Sequence, residues 1–187
     1  MPISVGSEYL CETCFIFLAQ YTRLKNKNKT KGGGLIRDSH GRWVKGYMRY
    51  IGVTTGINAK FWALRDGLRL ASQMGITHLA VELDAKVIVD LVLSRKTPNS
   101  SYTSLLNDCR YLLNQFQPTK IRHVYREANR GADCLAKKAC SLVYDAINDF
   151  VILNVPPSPD LDVILNSDVH SLYSLRLIAN MSPFVTS

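Results

Sequence analysis

The stretch REANRGADCLAKKA, residues 126–139, decides how this chain is read. Asn129 is of a type that caps helix N-termini, so a short helix is expected from Arg130. Leu135, Ala136 and Ala139 give that helix a buried stripe. Asp133 falls in its first turn, where the positive end of the helix dipole favours an ionised carboxylate. A metal-binding carboxylate would sit in such a place.

Working upstream, Lys120 to Arg126 alternates as a strand, and Pro118 ends a helical stripe over 102–116 carried by Leu105, Leu106, Cys109, Leu112, Leu113 and Phe116. Thr77 to Leu83 is a short apolar and β-branched run that stops at Asp84, ahead of a helix from Ala85 to Leu93. From about Asn58 to Met74 the residues Ala59, Trp62, Ala63, Leu70 and Met74 recur at helical spacing; Gly75 is placed to end this helix and Gly67 to let it lie close to a sheet. Gly32 to Arg37 and Trp43 to Ile51 form a hairpin around the turn SHG at 39–41. An antiparallel start followed by alternating strand and helix predicts an α/β fold, a mixed sheet covered by helices.

The 187 residues, 47% of them hydrophobic, are enough for one well-buried core. The net charge of +8 is unevenly spread: Lys and Arg against Asp and Glu number 5 to 2 in residues 1–31, 17 to 8 in 32–143 and 1 to 5 in 144–187. A basic body suits a polyanionic partner. Lys25, Lys27, Lys29 and Lys31 make a loop able to track a nucleic-acid backbone, with a solvated loop as the equal alternative. Five cysteines without a repeating framework point to a reducing, intracellular compartment, nuclear or cytoplasmic. The Cys11–Cys14 pair lacks the partners a zinc site needs. The apolar run 14–19 is too short to cross a bilayer, and Glu8 and Glu12 interrupt any signal-peptide core, so a soluble, unprocessed monomer away from membranes is expected.

Four segments, GGGLIRDSHGRWVKGY (32–47), AKFWALRDGLRLAS (59–72), VELDAKVIVDL (81–91) and REANRGADCLAKKA, together resemble in order and spacing the ribonuclease H-like (type 1) domain of the plant reverse-transcriptase-like family derived from non-LTR retroelements. The resemblance covers 32–143, leaving 1–31 as a divergent N-terminal segment and 144–187 as an extended C-terminal tail. It implies a five-stranded mixed sheet, three antiparallel and then two parallel strands, with helices on both faces and the first strand at the centre. It also implies hydrolysis of RNA in RNA–DNA hybrids with two Mg²⁺ ions held by four carboxylates. Asp84 and Asp133 match two of these as catalytic and metal-binding residues.

The other two are substituted. The first-helix glutamate, in a segment that reads AEL in relatives, meets Lys60 here, and counting back from GGGLIRD puts the first-strand aspartate near Gln20. The family's opening strand is not recognisable; the apolar run TCFIFLAQ (13–20) is expected to take the central place, since both faces of such a strand are buried. TRLKNKNKTK (22–31) would follow as a mobile basic loop. The formal ligand charge falls from −4 to −1, which disfavours Mg²⁺, and the Lys60 ammonium is expected to neutralise Asp84 and Asp133 in a metal-free cluster.

His123 lies near a histidine that assists proton transfer in some relatives, but is expected to be an ordinary strand residue. Arg126 and Asn129 are candidate contacts to phosphate or ribose, and Trp43 and Trp62 are expected to pack in the core. Three readings follow. The leading one is a domain that binds RNA–DNA hybrid or other nucleic acid with cleavage impaired or lost. The second is an active Mg²⁺-dependent hybrid endoribonuclease, for which Glu8, Glu12 or Glu82 must supply a ligand, although Glu82 should face away from Leu83. The third is a degenerate retroelement remnant without a central strand.

Overall fold

The computed structural model describes residues 15–23, 29–117, 119–139 and 150–167. Six strands, β1 Phe15–Arg23, β2 Thr30–Arg37, β3 Trp43–Gly52, β4 Leu79–Leu83, β5 Thr119–His123 and β6 Phe150–Leu153, form one sheet in the order β5-β4-β1-β2-β3-β6. β1 runs antiparallel to β2 and parallel to β4. It buries both faces: Phe17 and Ala19 join the larger hydrophobic cluster, and Ile16 joins the smaller one opposite. The sheet therefore has its central strand, which removes the reading in which that strand is missing.

The larger cluster lies under α1 Gly56–Gln73, α2 Lys86–Leu93 and α3 Thr103–Leu113. The Thr55 hydroxyl accepts the Asn58 amide at 3.2 Å and so caps α1. Gly67 brings α1 down onto the sheet: a Cβ there would stand 1.8 Å from the Phe17 ring. On the other face α4, Arg130–Lys138, crosses β1, β2 and β3 with Ala132 and Leu135 packed on Ile16, Leu35 and Met48. Gly33 permits this approach, since a Cβ would stand 2.6 Å from the Ala136 nitrogen.

Several sequence expectations are corrected. The sheet has six strands, because the expected tail returns at β6, pairs antiparallel with β3, and stacks Phe150 on Tyr47 at 5.3 Å. Residues 159–167 are helical and lay Leu161 and Leu165 against the α4 side. The first hairpin is longer than expected: Thr22 pairs with Lys31 and Arg23 with Thr30, so both ends of the basic segment 22–31 are strand. The strand expected to reach Arg126 stops at His123, where its partner β4 also ends; Arg126–Asn129 is a 3-10 turn.

Trp62 is not a core residue. Its ring lies between the guanidinium groups of Arg49, at 4.6 Å, and Arg65, at 4.9 Å, whereas Trp43 packs on the smaller cluster. Residues 13–14, Glu8, Glu12, Cys11, Cys14, Lys25, Lys27, Pro118 and Cys140 lie outside the described residues. Among those described, no helix is long and apolar enough to cross a membrane.

Candidate active-site cleft

Strand register assembles the cleft. Ala19 on β1 is level with Leu83 on β4, so the next residues, Gln20 and Asp84, come side by side at the C-terminal end of the parallel pair. Gln20 is 5% exposed, and its Nε2 donates to Asp84 Oδ2 at 2.5 Å. Its Oε1 is turned the other way and accepts the Tyr21 amide at 2.9 Å. Lys60, early in α1, lines the same cleft with Gln20, Tyr21, Ala63, Asp84 and Ile88. Its ammonium sits 5.5 Å from the centroid of the Tyr21 ring. The expected cluster of Lys60 with the two aspartates is therefore not what forms: among the described residues no ion pair joins Lys60 to either, and an amide and an aromatic face take up those roles.

Asp133 projects from the first turn of α4. Arg126 Nη2 lies 3.1 Å from Asp133 Oδ1 and Lys137 Nζ lies 2.5 Å from Oδ2. Partial burial pushes the Asp133 carboxyl up, but the hydrogen bonds and charges of Lys137 and Arg126 outweigh it and hold the group below its ordinary 3.8. Asp133 in turn, and Asp84 more weakly, stabilises the charged Arg126 guanidinium, so this one side chain is within electrostatic reach of both carboxylates.

Asn129 departs from its expected roles. It occupies the N-cap position but makes no side-chain cap bond; being fully buried, it cannot meet a phosphate. Its Nδ2 donates to the Ala19 carbonyl at 2.9 Å and ties the start of α4 to β1 beside Gln20. Lys31 is likewise 1% exposed, with its ammonium bonded to the Ala139 carbonyl, so it is withdrawn from any nucleic-acid surface. Lys29 is half-buried, 5.9 Å from the Tyr50 ring centroid. His123 is exposed at the end of β5, edge-on to Tyr125 at 5.7 Å.

Glu82, the described carboxylate considered as a replacement ligand, is fully buried and paired with Arg122, the residue level with it on β5. Sequence reasoning missed two participants. Lys137 was legible, four residues after Asp133 on one helix face; Tyr21 was not, because only the β1–β4 register brings it beside Lys60.

Two divalent cations need hard oxygen ligands in number. Among the described residues no group of three or more His, Cys, Asp and Glu side chains is placed to hold a metal. Of the four positions, Lys60 offers only N–H donors and Gln20 presents N–H to Asp84 with its oxygen turned aside. These residues do not fit a two-metal centre.

A family model described as reverse transcriptase-like matches residues 20–139. The chain belongs to that family. An Arabidopsis thaliana protein provisionally named a ribonuclease H is 33% identical over 117 residues, 63% of this chain, and that match spans 19% of the relative's own length. The N-terminal RNase H domain of a Mycobacterium tuberculosis protein is 25% identical with a TM-score of 0.62, covering 67% of this chain and 92% of that one. RNase H1 from the archaeon Halobacterium salinarum, 22% identical, superposes with a TM-score of 0.64 over 70% of this chain and 99% of its own. A compost-derived RNase H1 solved with an RNA/DNA hybrid, also 22% identical, has a TM-score of 0.59 and covers 68% of this chain and 99% of that one. The fold of this reverse transcriptase-like domain is that of the ribonucleases H.

Proposed function

We propose that this RNase H-like domain binds nucleic acid, RNA–DNA hybrid in the first instance, and has lost most or all of its capacity to cleave it. The observation that carries the reading is the Gln20 amide seated on Asp84 at 2.5 Å, which puts a hydrogen-bond donor where the family resemblance calls for a second carboxylate. Lys60 acts in the same sense. An ammonium ~4 Å from a divalent cation is repelled by roughly 8 kcal/mol at an effective dielectric of about 20, which lowers ion occupancy by several orders of magnitude. Asp84 and Asp133 remain as the vestige of the catalytic and metal-binding set, each already occupied by a partner in the chain itself.

Binding does not depend on those ligands. Arg122, Arg126, Arg130 and Lys137 are exposed on β5, the 3-10 turn and α4, and cations in such numbers supply sequence-independent affinity for phosphate. Lys29, with Lys25 and Lys27 in the adjoining segment, adds to that attraction, and the exposed Tyr125 beside Arg126 offers an aromatic face to a base.

The test is a labelled RNA–DNA hybrid incubated with the full chain across a Mg²⁺ titration. The expected result is binding that weakens steeply with salt and no metal-dependent cleavage. Cleavage that requires Mg²⁺ and disappears in Asp84→Asn would instead establish the alternative, an active hybrid endoribonuclease.

A further inference from the structure

The same cleft carries a more specific assignment, which rests on the nucleic-acid-binding reading above. We infer that a backbone phosphate is received at the mouth of the cleft between β1, α1 and the end of β4 directly on the Lys60 ammonium, with no divalent cation between protein and nucleic acid. In a carboxylate-lined site, metal ions must mediate between two sets of negative groups. Here a cation lines the cleft itself: Lys60 shares it with Asp84, while Arg126, paired with Asp133, lies within electrostatic reach of Asp84.

The state of each donor supports an anion as the guest. Lys60 has an aromatic face beneath it and no carboxylate partner among the described residues, so its charge is available and already aimed into the cleft. Gln20 spends one of its two N–H donors on Asp84. Asp84, the one carboxylate lining the cleft, is screened by that bond and lies within the field of Arg126. Asp133 is held between two cations, which offset its charge toward a phosphate. A lysine works as a point charge and can meet a phosphate oxygen without a fixed approach geometry.

The experiment measures anisotropy of labelled RNA–DNA hybrid and duplex DNA against the full 187-residue chain, in EDTA and in Mg²⁺, over a series of monovalent salt concentrations. The variants are Lys60→Met, which keeps the aliphatic stem over Tyr21, and Lys60→Arg, which keeps the charge. Wild type is expected to bind in EDTA, and added Mg²⁺ should weaken binding by competing for phosphate. Lys60→Met should lose roughly tenfold in affinity near 0.1 M salt and lower the slope of log affinity against log salt by about one, equally for both nucleic acids; Lys60→Arg should recover most of both. Binding that requires Mg²⁺ overturns the assignment, as does a Lys60→Met chain with wild-type affinity and slope. In the latter case nucleic-acid binding itself stands, whereas a wild type that binds neither probe removes both inferences.

Discussion

β4 ends in Asp84 at the cleft and α4 carries Asp133 in its first turn, whereas β1 and α1 bring an amide and an ammonium to the cleft, Gln20 and Lys60. The two pairs of elements differ in chemistry and not in packing. Gly67 sets α1 against Phe17 of β1 as closely as Gly33 sets α4 against the sheet, and the buried Asn129 ties α4 to the β1 backbone at Ala19. Polar tips that end in a cleft can be replaced while the backbone beneath them is still held by contacts of a few ångströms. The packing of the fold and the chemistry of the cleft therefore rest on different residues: Phe17, Gly67 and Gly33 set the backbone, and Gln20 and Lys60 set what the cleft presents.

The strongest way to break this comparison is to attack the packing on each side. Gly67→Val and Gly33→Val should each destabilise the domain by about 3 kcal/mol or more, because the added carbons meet the Phe17 ring or the α4 backbone, neither of which can move away cheaply. Urea denaturation midpoints would show it. A tolerated Gly67→Val beside an intolerant Gly33 would mean that α1, which carries Lys60, is loosely held, and that the substituted side has relaxed in structure as well as in chemistry.

The comparison is sharpened by giving both sides carboxylates. Gln20→Asp combined with Lys60→Glu returns the formal charge of the four positions from −1 to −4, so the apo variant should lose stability through mutual repulsion and regain it on Mg²⁺ addition. At a Mg²⁺ concentration about 100-fold above the dissociation constant the gain is about 2.7 kcal/mol, visible as a Mg²⁺-specific rise in Tm that wild type lacks. If the double variant ignores Mg²⁺, the positions have moved apart and the loss is one of geometry.

How far the sequence was legible follows the same division. The hairpin, the helix ending at Gly75, the Asp84 strand end and the Arg130 helix start could be read because each is set by local periodicity and terminator residues. The apolar run ending at Gln20 overlaps β1 from Phe15 onward, since a central strand must be apolar on both faces. What could not be read depends on register and long-range packing. Nothing local in Lys31 announces that its ammonium reaches Ala139, and nothing local in Trp62 announces Arg49 of β3 over its ring. Residues 150–153 read as tail because four apolar residues after a gap carry little periodicity; they become strand only because β3 offers an edge. In the cleft, the residue types at 20 and 60 could be read directly, but the Gln20–Asp84 bond and the seating of Lys60 on Tyr21 needed the β1–β4 register.

The subtlest contrast is in pH dependence, where one aspartate on each side should act with opposite sign. Asp66 on α1 is buried, which pushes its carboxyl from 3.8 up to about 6 against the pull of Arg49 and Arg65. Between those values the native chain keeps a proton that the unfolded chain has released, so stability falls as pH rises from about 4 to 6, by on the order of 3 kcal/mol, and the cost is fully present above that window. Asp133 on α4 is held below 3.8, so its contribution is fully present above that value and is lost as pH falls further through its folded pKa. That contribution is below about 1 kcal/mol, because Arg126 and Lys137 are 67% and 64% exposed and water screens both pairs. Urea midpoints from pH 3 to 7 should therefore lose their decline between about 4 and 6 in Asp66→Asn and keep it in Asp133→Asn, whose only change is a shallower fall below about 4. A steep acid loss abolished by Asp133→Asn would mean that the Arg126–Asp133–Lys137 cluster is shielded from solvent, and that the retained carboxylate has become a structural element of α4.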